Sequence, residues 1–273
     1  DGTVRGGVEV FRSRDLENWE GPVRVMTVPA DNWITGQVWA PEVHRYKGYY
    51  YMFATINSDI EWKKQRASHP AYTMRGTQIF RSKSPEGPFE AFDEREPATP
   101  MDEMALDGTL WVEDGKPYMV YCHEWVQVMD GEMKVVELTR DLSARAGTPL
   151  RLFNASAAEW ATGSPAADGA RSYVTDGCFL YRTSGGKLLM IWSSFGKDGY
   201  AVGVSESVTG KVTGPWRHHP KPLFSRNGGH GMLFRDFDGG LNIVMHAPNS
   251  PGGAERGAIL PLEERDDMLY VKE

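Results

Sequence analysis

Short apolar runs broken by glycine turns recur along the whole chain. The stretch 38–54, VWAPEVHRYKGYYYMFA, sets the pattern: a polar or acidic entry, a strand, a turn at Lys47-Gly48, then an apolar and aromatic strand. Three later stretches repeat it. Residues 107–121 read DGTLWVEDGKPYMVY with a turn at Asp114-Gly115, and 176–192 read DGCFLYRTSGGKLLMIW with a turn at Gly185-Gly186. Residues 230–246 read HGMLFRDFDGGLNIVMH with a turn at Asp238-Gly239. Glycine-containing turns between short apolar runs signal hairpins. Recurrence at roughly 50–70 residues signals a repeat architecture.

A second kind of unit alternates with the first, at 7–21, 76–92, 133–153, 200–216 and 257–271. Its first strand alternates apolar and polar residues, as a half-exposed strand does. One inner and one outer unit make a four-stranded sheet, the size of a propeller blade. The order outer, then inner-outer four times, predicts an all-β, five-bladed β-propeller in a single domain, 1–273, whose first blade lacks its inner strands. The pair at 257–271 completes the last blade, so those strands are expected upstream of Asp1. Three connections, 55–75, 154–175 and 247–256, are expected to be long loops, which on a rigid scaffold usually wall or cover a site.

Composition narrows the function. With 40% hydrophobic and 25% charged residues, this is an ordinary globular chain. A formal charge of -7 and the lack of a basic patch interleaved with aromatics argue against a nucleic-acid partner. No apolar run approaches the roughly 18–20 residues of a membrane helix. No signal peptide is visible, and the compartment stays open. Cys122 and Cys178 lie in apolar, strand-like runs and read as buried free thiols, with no zinc-type spacing around them. Gly228-Gly229-His230-Gly231 precedes a strand rather than a helix, so it offers no helix N-terminus to a phosphate.

In a propeller the innermost strands line a channel, and their entry ends meet at one mouth. Those entries carry Glu42, Asp107, Asp176 and His230. Such a set suits glycoside hydrolysis, in which one carboxyl protonates the leaving oxygen and another activates water. Carboxyls sharing a site also push their acidities apart. Plainer readings stand beside these. Asp107-Gly108 and Asp176-Gly177 also suit turn dipeptides capping strands. Glu42 also suits a backbone hydrogen bond, and His230 a structural role. Glu124, beside Trp125, is either a sugar contact or part of a surface turn. Trp33, Trp39, Trp62 and Trp160 are stacking candidates, with core packing as the alternative for each.

These residues resemble glycoside hydrolase family 43. VWAPEVHRYKGYYYMFA is similar to the family's WAP-[DE]-[IV]…YY motif, and DLENWEGP to its DL-x-NW element. LDGTLWVEDGKPYMVY, VTDGCFLYR and GGHGMLF resemble three further family segments, in order over nearly the whole chain. The resemblance implies a five-bladed propeller and an inverting hydrolase of α-L-arabinofuranosides, β-D-xylosides or galactans, with an oligosaccharide or polysaccharide as partner. Asp107 matches the aspartate that orients the acid and tunes its acidity. Asp176 stands where the family has a glutamate as general acid and is one methylene shorter, which leaves Glu124 as the other candidate. The family's base lies in an early DP motif that this sequence lacks, so it too is expected upstream of Asp1. Trp39, Glu42, Glu124 and His230 are the expected sugar contacts. His230 also matches a histidine near a channel calcium ion; no cofactor is otherwise required. Two alternatives remain: a carbohydrate-binding propeller without turnover, and a phosphorylase using Arg66, Arg75 and Arg171.

Overall fold

The computed structural model describes residues 6–28, 37–62, 70–92, 96–165 and 169–272. Strands dominate. β1 (Gly7–Ser13) pairs with β2 (Trp19–Thr27) as a two-stranded sheet. β3 (Val38–Tyr46), β4 (Tyr49–Trp62), β5 (Tyr72–Ser82) and β6 (Glu90–Ala91) form the first four-stranded meander. β7 (Ala105–Glu113), β8 (Lys116–His123), β9 (Glu132–Glu137) and β10 (Leu150–Asn154) form the second. A two-stranded patch, β11 (Ser164–Pro165) and β12 (Arg171–Ser172), follows. The third meander is β13 (Asp176–Arg182), β14 (Leu188–Gly196), β15 (Gly199–Ser207) and β16 (Trp216–His218). The fourth is β17 (Gly229–Arg235), β18 (Leu241–Ala247), β19 (Arg256–Arg265) and β20 (Met268–Val271). The first strands of these sheets, β3, β7, β13 and β17, touch in succession, so they lie innermost. This is an all-β propeller fold of four four-stranded blades plus the β1–β2 sheet.

The core lies between blades, which explains the continuous apolar runs. In β4, Met52, Ala54 and Ile56 pack towards β1–β2, whereas Tyr51 and Phe53 pack on the β7–β10 blade. In β8, Met119 and Tyr121 face back and Val120 and Cys122 face forward. In β14, Met190 and Trp192 face back while Leu189 and Ile191 face forward. Side chains alternate between the faces of a strand, and both faces of these strands are covered, so their central stretches are mostly apolar. Cys122 and Cys178 fall in one such layer, both buried and free.

Two expectations need correction. The stretch 55–75 is largely strand: β4 runs on to Trp62 and β5 starts at Tyr72, with Asn57 opposite Arg75 and Trp62 opposite Tyr72. Polar residues there lie on a ladder extended past the apolar core, so their polarity imitates a loop. Residues 154–175 contain a 3-10 turn, Ala155–Ala157, and the β11–β12 patch. Among the described residues no helix is long and apolar enough to cross a membrane.

One half-buried histidine makes stability depend on pH. Trp192 Nε1 donates to Ser205 Oγ at 2.9 Å, and Ser205 pairs with His218 Nδ1 at 2.8 Å. The His218 ring meets Phe153 edge-on, with centroids 4.6 Å apart. Burial pushes the His218 pKa down to about 4. The unfolded chain therefore takes up a proton below about pH 6.5 that the native state refuses. Stability contributed by neutral His218 is present above that pH and falls away towards pH 4. Denaturant midpoints measured from pH 7 to 4.5 are expected to fall more steeply for the wild type than for His218→Gln.

Candidate active site

The four inner strands share one irregularity. In β3, residues 40 and 41 stand opposite Ala54 alone; in β7, 107 and 108 stand opposite Tyr121. In β13, 177 and 178 oppose Trp192, and in β17, 230 and 231 oppose Met245. The first residue of each pair has left-handed backbone: Ala40 at φ 45°, Asp107 at 57°, Gly177 at 51° and His230 at 52°. Such bulges bend a strand and re-aim its side chains, often beside active sites. Aspartate and histidine enter this region more readily than most residues. Gly177 is needed for a second reason, since a Cβ there would lie 2.7 Å from the His230 ring.

The bulges correct the expected equivalence. Asp107 and His230 hold the same position, but their counterparts are Gly177 and Ala40 rather than Asp176 and Glu42. Asp176 is one residue earlier, level with Trp39, Leu106 and Gly229. Glu42 is two residues later, level with Thr109. An extra residue shifts the register, and a single strand read alone does not show it.

All six candidates nevertheless come together. Trp39, Glu42, Asp107, Glu124, Asp176 and His230 line one cleft of about 1010 Å³. Asp107 is held on every side: Gly177 N–H donates to Oδ2 at 3.0 Å, and the Thr55 hydroxyl donates to Oδ1 at 3.3 Å while accepting the Asp107 N–H at 2.8 Å. His230 Nδ1 lies 3.7 Å from the same Oδ2, and its backbone N–H donates to Ser193 Oγ at 2.8 Å. Asp176 Oδ2 accepts the Tyr200 hydroxyl at 2.7 Å. Burial and the Asp107 charge push Asp176 up to about 6, against His230 and the Tyr200 bond. Burial drives Glu124 up to about 7, although Arg75 pulls the other way. Glu42 is bonded to side chains, the Thr109 hydroxyl and His44. Trp39 is 38% exposed, with the Arg75 guanidinium 4.8 Å over its ring.

Other expectations fare differently. Glu124 is no surface turn: it is 8% exposed and begins the helical turn Trp125–Val128. Trp160 is core, packed 4.9 Å from Trp192. Trp33, Arg66 and the Trp62 side chain lie outside the described residues. Arg75 pairs with Glu124, and Arg171 donates to the Gly163 carbonyl, so neither is a free phosphate ligand. Thr55 and Tyr200 escape a reading of the sequence because each looks like an ordinary strand residue; only the meeting of strands shows their partners.

Among the described residues no group of three or more His, Cys, Asp or Glu converges as a metal cage. Calcium takes six to eight oxygens. Among the described residues the carboxylate oxygen that an ion beside His230 would meet is Asp107 Oδ2, the acceptor of Gly177 N–H, with water left to supply further oxygens.

The cleft gathers carboxyls and a histidine that can exchange protons, and comparison with known proteins places the whole chain. A family model for glycosyl hydrolases family 43 matches residues 2–264. No curated protein matches the chain. An endo-arabinase structure from Bacteroides thetaiotaomicron VPI-5482 is 38% identical, over 97% of this chain and 88% of its own, with a TM-score of 0.84. A thermostable family-43 glycoside hydrolase is 23% identical, over 99% of this chain and 86% of its own, with a TM-score of 0.81. An endo-1,4-beta-xylanase from Bacteroides thetaiotaomicron VPI-5482 is 23% identical, over 100% of this chain and 88% of its own, with a TM-score of 0.76. At 23% identity the last two speak to the fold alone. The chain belongs to glycosyl hydrolase family 43.

Proposed function

We propose that this hydrolase inverts arabinose- or xylose-containing glycosides, in the manner of an α-L-arabinofuranosidase or β-xylosidase, with Asp107 and Asp176 as catalytic carboxyls. The observation that carries the reading is their convergence with Glu124 in one cleft, where burial and neighbouring charge raise the pKa values of Asp176 and Glu124 towards neutrality. Groups that titrate near the working pH are the ones that exchange protons in a reaction. Asp107, bonded through both carboxylate oxygens, is the fixed charge that tunes its neighbours. Trp39, Glu42 and His230 would contact the sugar. The 38% identity to an endo-arabinase favours arabinose.

A count of five blades belongs to the same reading, with β1–β2 as an outer pair. Its turn supports this. Ser13 donates to Asp15 and Leu16 is left-handed at φ 62°; in the β9–β10 turn Thr139 donates to Asp141 and Leu142 is left-handed at φ 63°.

The test is release of sugar from nitrophenyl α-L-arabinofuranoside, nitrophenyl β-D-xyloside and linear arabinan, with the anomer of the first product read by NMR. Release with inversion is expected. Binding without release, unchanged in Asp176→Ala, would make the protein a sugar-binding propeller. Release that depends on phosphate would make it a phosphorylase.

A further inference from the structure

Glu124 has the wrong environment for a mere sugar contact. It opens a helical turn, yet its carboxyl makes no capping bond to that turn. Its backbone N–H is used elsewhere, donating to the Met104 carbonyl at 2.8 Å. The side chain lines the cleft instead. Arg75 Nη1 donates to Oε1 at 3.1 Å, fixing the carboxyl in place. Oε2 is buried and has no hydrogen-bond partner, although the same Nη1 is 2.9 Å away at a poor angle. A buried carboxyl oxygen whose near neighbour is a misaligned guanidinium nitrogen has hydrogen-bonding capacity left unused.

Asp176 differs on each count. Its Oδ2 is already engaged by Tyr200, a bond that favours the charged form. It also has one methylene fewer than glutamate, and a displacement of about 1 Å in a catalytic group can cost on the order of a hundredfold in rate.

We propose that Glu124 is the general acid: its Oε2 proton passes to the glycosidic oxygen, while Asp176 remains a carboxylate beside the reacting carbon. The inference rests on the glycosidase reading above. As the bond from the anomeric carbon to oxygen breaks, its electron pair stays on the oxygen, which takes the Glu124 proton. Water attacks the opposite face, bonds to the anomeric carbon and gives up a proton to solvent, and Glu124 regains a proton from solvent.

The charges around Glu124 suit this role. Arg75 on β5 and His123 on β8 lower its pKa; burial, with Asp176 on β13 and Asp107 on β7, raises it further, to about 7. Asp176 reaches about 6.

Leaving-group dependence tests the assignment. A dinitrophenyl glycoside needs no protonation to depart; an arabino-oligosaccharide does. Glu124→Gln is expected to lose about 10³-fold in kcat/KM on the oligosaccharide and under tenfold on the dinitrophenyl substrate. The alkaline limb of its pH profile should vanish. Asp176→Asn is expected to fall equally on both substrates and keep that limb. Arg75→Gln supplies an independent reading: without the opposing cation, the alkaline limb should move to higher pH, because Arg75 acts on Glu124 and not on Asp176. A leaving-group split in Asp176→Asn, or an unmoved limb in Arg75→Gln, would overturn the proposal. A wild type inactive on every glycoside would instead overturn the glycosidase reading itself.

Discussion

Asp107→Asn is expected to lower kcat by about 10²–10⁴-fold while leaving the melting temperature close to that of the wild type. The amide has the same outline as the carboxyl, and asparagine also tolerates the left-handed backbone that this position demands. What changes is charge. Asp107 is among the groups raising the pKa of both Asp176 and Glu124. Remove that charge and both acids become stronger, so the alkaline limb of the pH profile shifts to lower pH. The amide can keep Gly177 N–H on its carbonyl and turn its NH2 to the Thr55 hydroxyl, which can accept it, so the bulge keeps its bonds. Steady-state kinetics from pH 5 to 8, with thermal melts alongside, check this. An unshifted limb would mean that Asp107 acts through geometry alone.

The parts of this molecule legible in the sequence are those whose cause is local. Apolar runs such as those of β8 and β14 are buried on both faces, so their composition alone marks them as interior strands. Gly48 and Gly115 adopt left-handed turn backbone that few other residues accept, so the hairpins announce themselves. Asp107, Asp176 and His230 are visible because each heads an inner strand. What is not legible depends on a partner. The bulges exist only between two strands, so the one-residue offset of Asp176 from Asp107 is invisible in either strand alone. Thr55, Tyr200 and Arg75 reach the carboxyls from three different strands. Trp160 and Trp39 are the same residue type, yet one is core and the other is on the cleft wall. Only burial separates them.

Trp192→Ala is expected to be the most destabilising of the single changes considered, costing about 3–5 kcal/mol. Trp192 is fully buried, packs against Phe153 and Trp160, and spends its one polar atom on Ser205. Truncation removes a large apolar surface and leaves a cavity. Gly203 limits collapse into it, because the Trp160 ring already sits where a Cβ on Gly203 would be, 2.1 Å away. For a domain of this size each kcal/mol corresponds to roughly 2–4 °C, so the melting temperature should drop by roughly 6–20 °C. The effect should not stop at stability. Trp192 is the residue facing the two-for-one bulge at Gly177-Cys178, the bulge that holds Gly177 N–H on Asp107 and sets Asp176 just ahead of it. A looser partner strand lets that bulge relax, so kcat should fall even at temperatures where the variant is folded. Trp192→Phe keeps most of the volume and should recover much of both losses. Urea unfolding and kinetics at about 20 °C separate the two effects: a variant that is destabilised yet fully active when folded would show that the bulge holds its shape without the indole behind it.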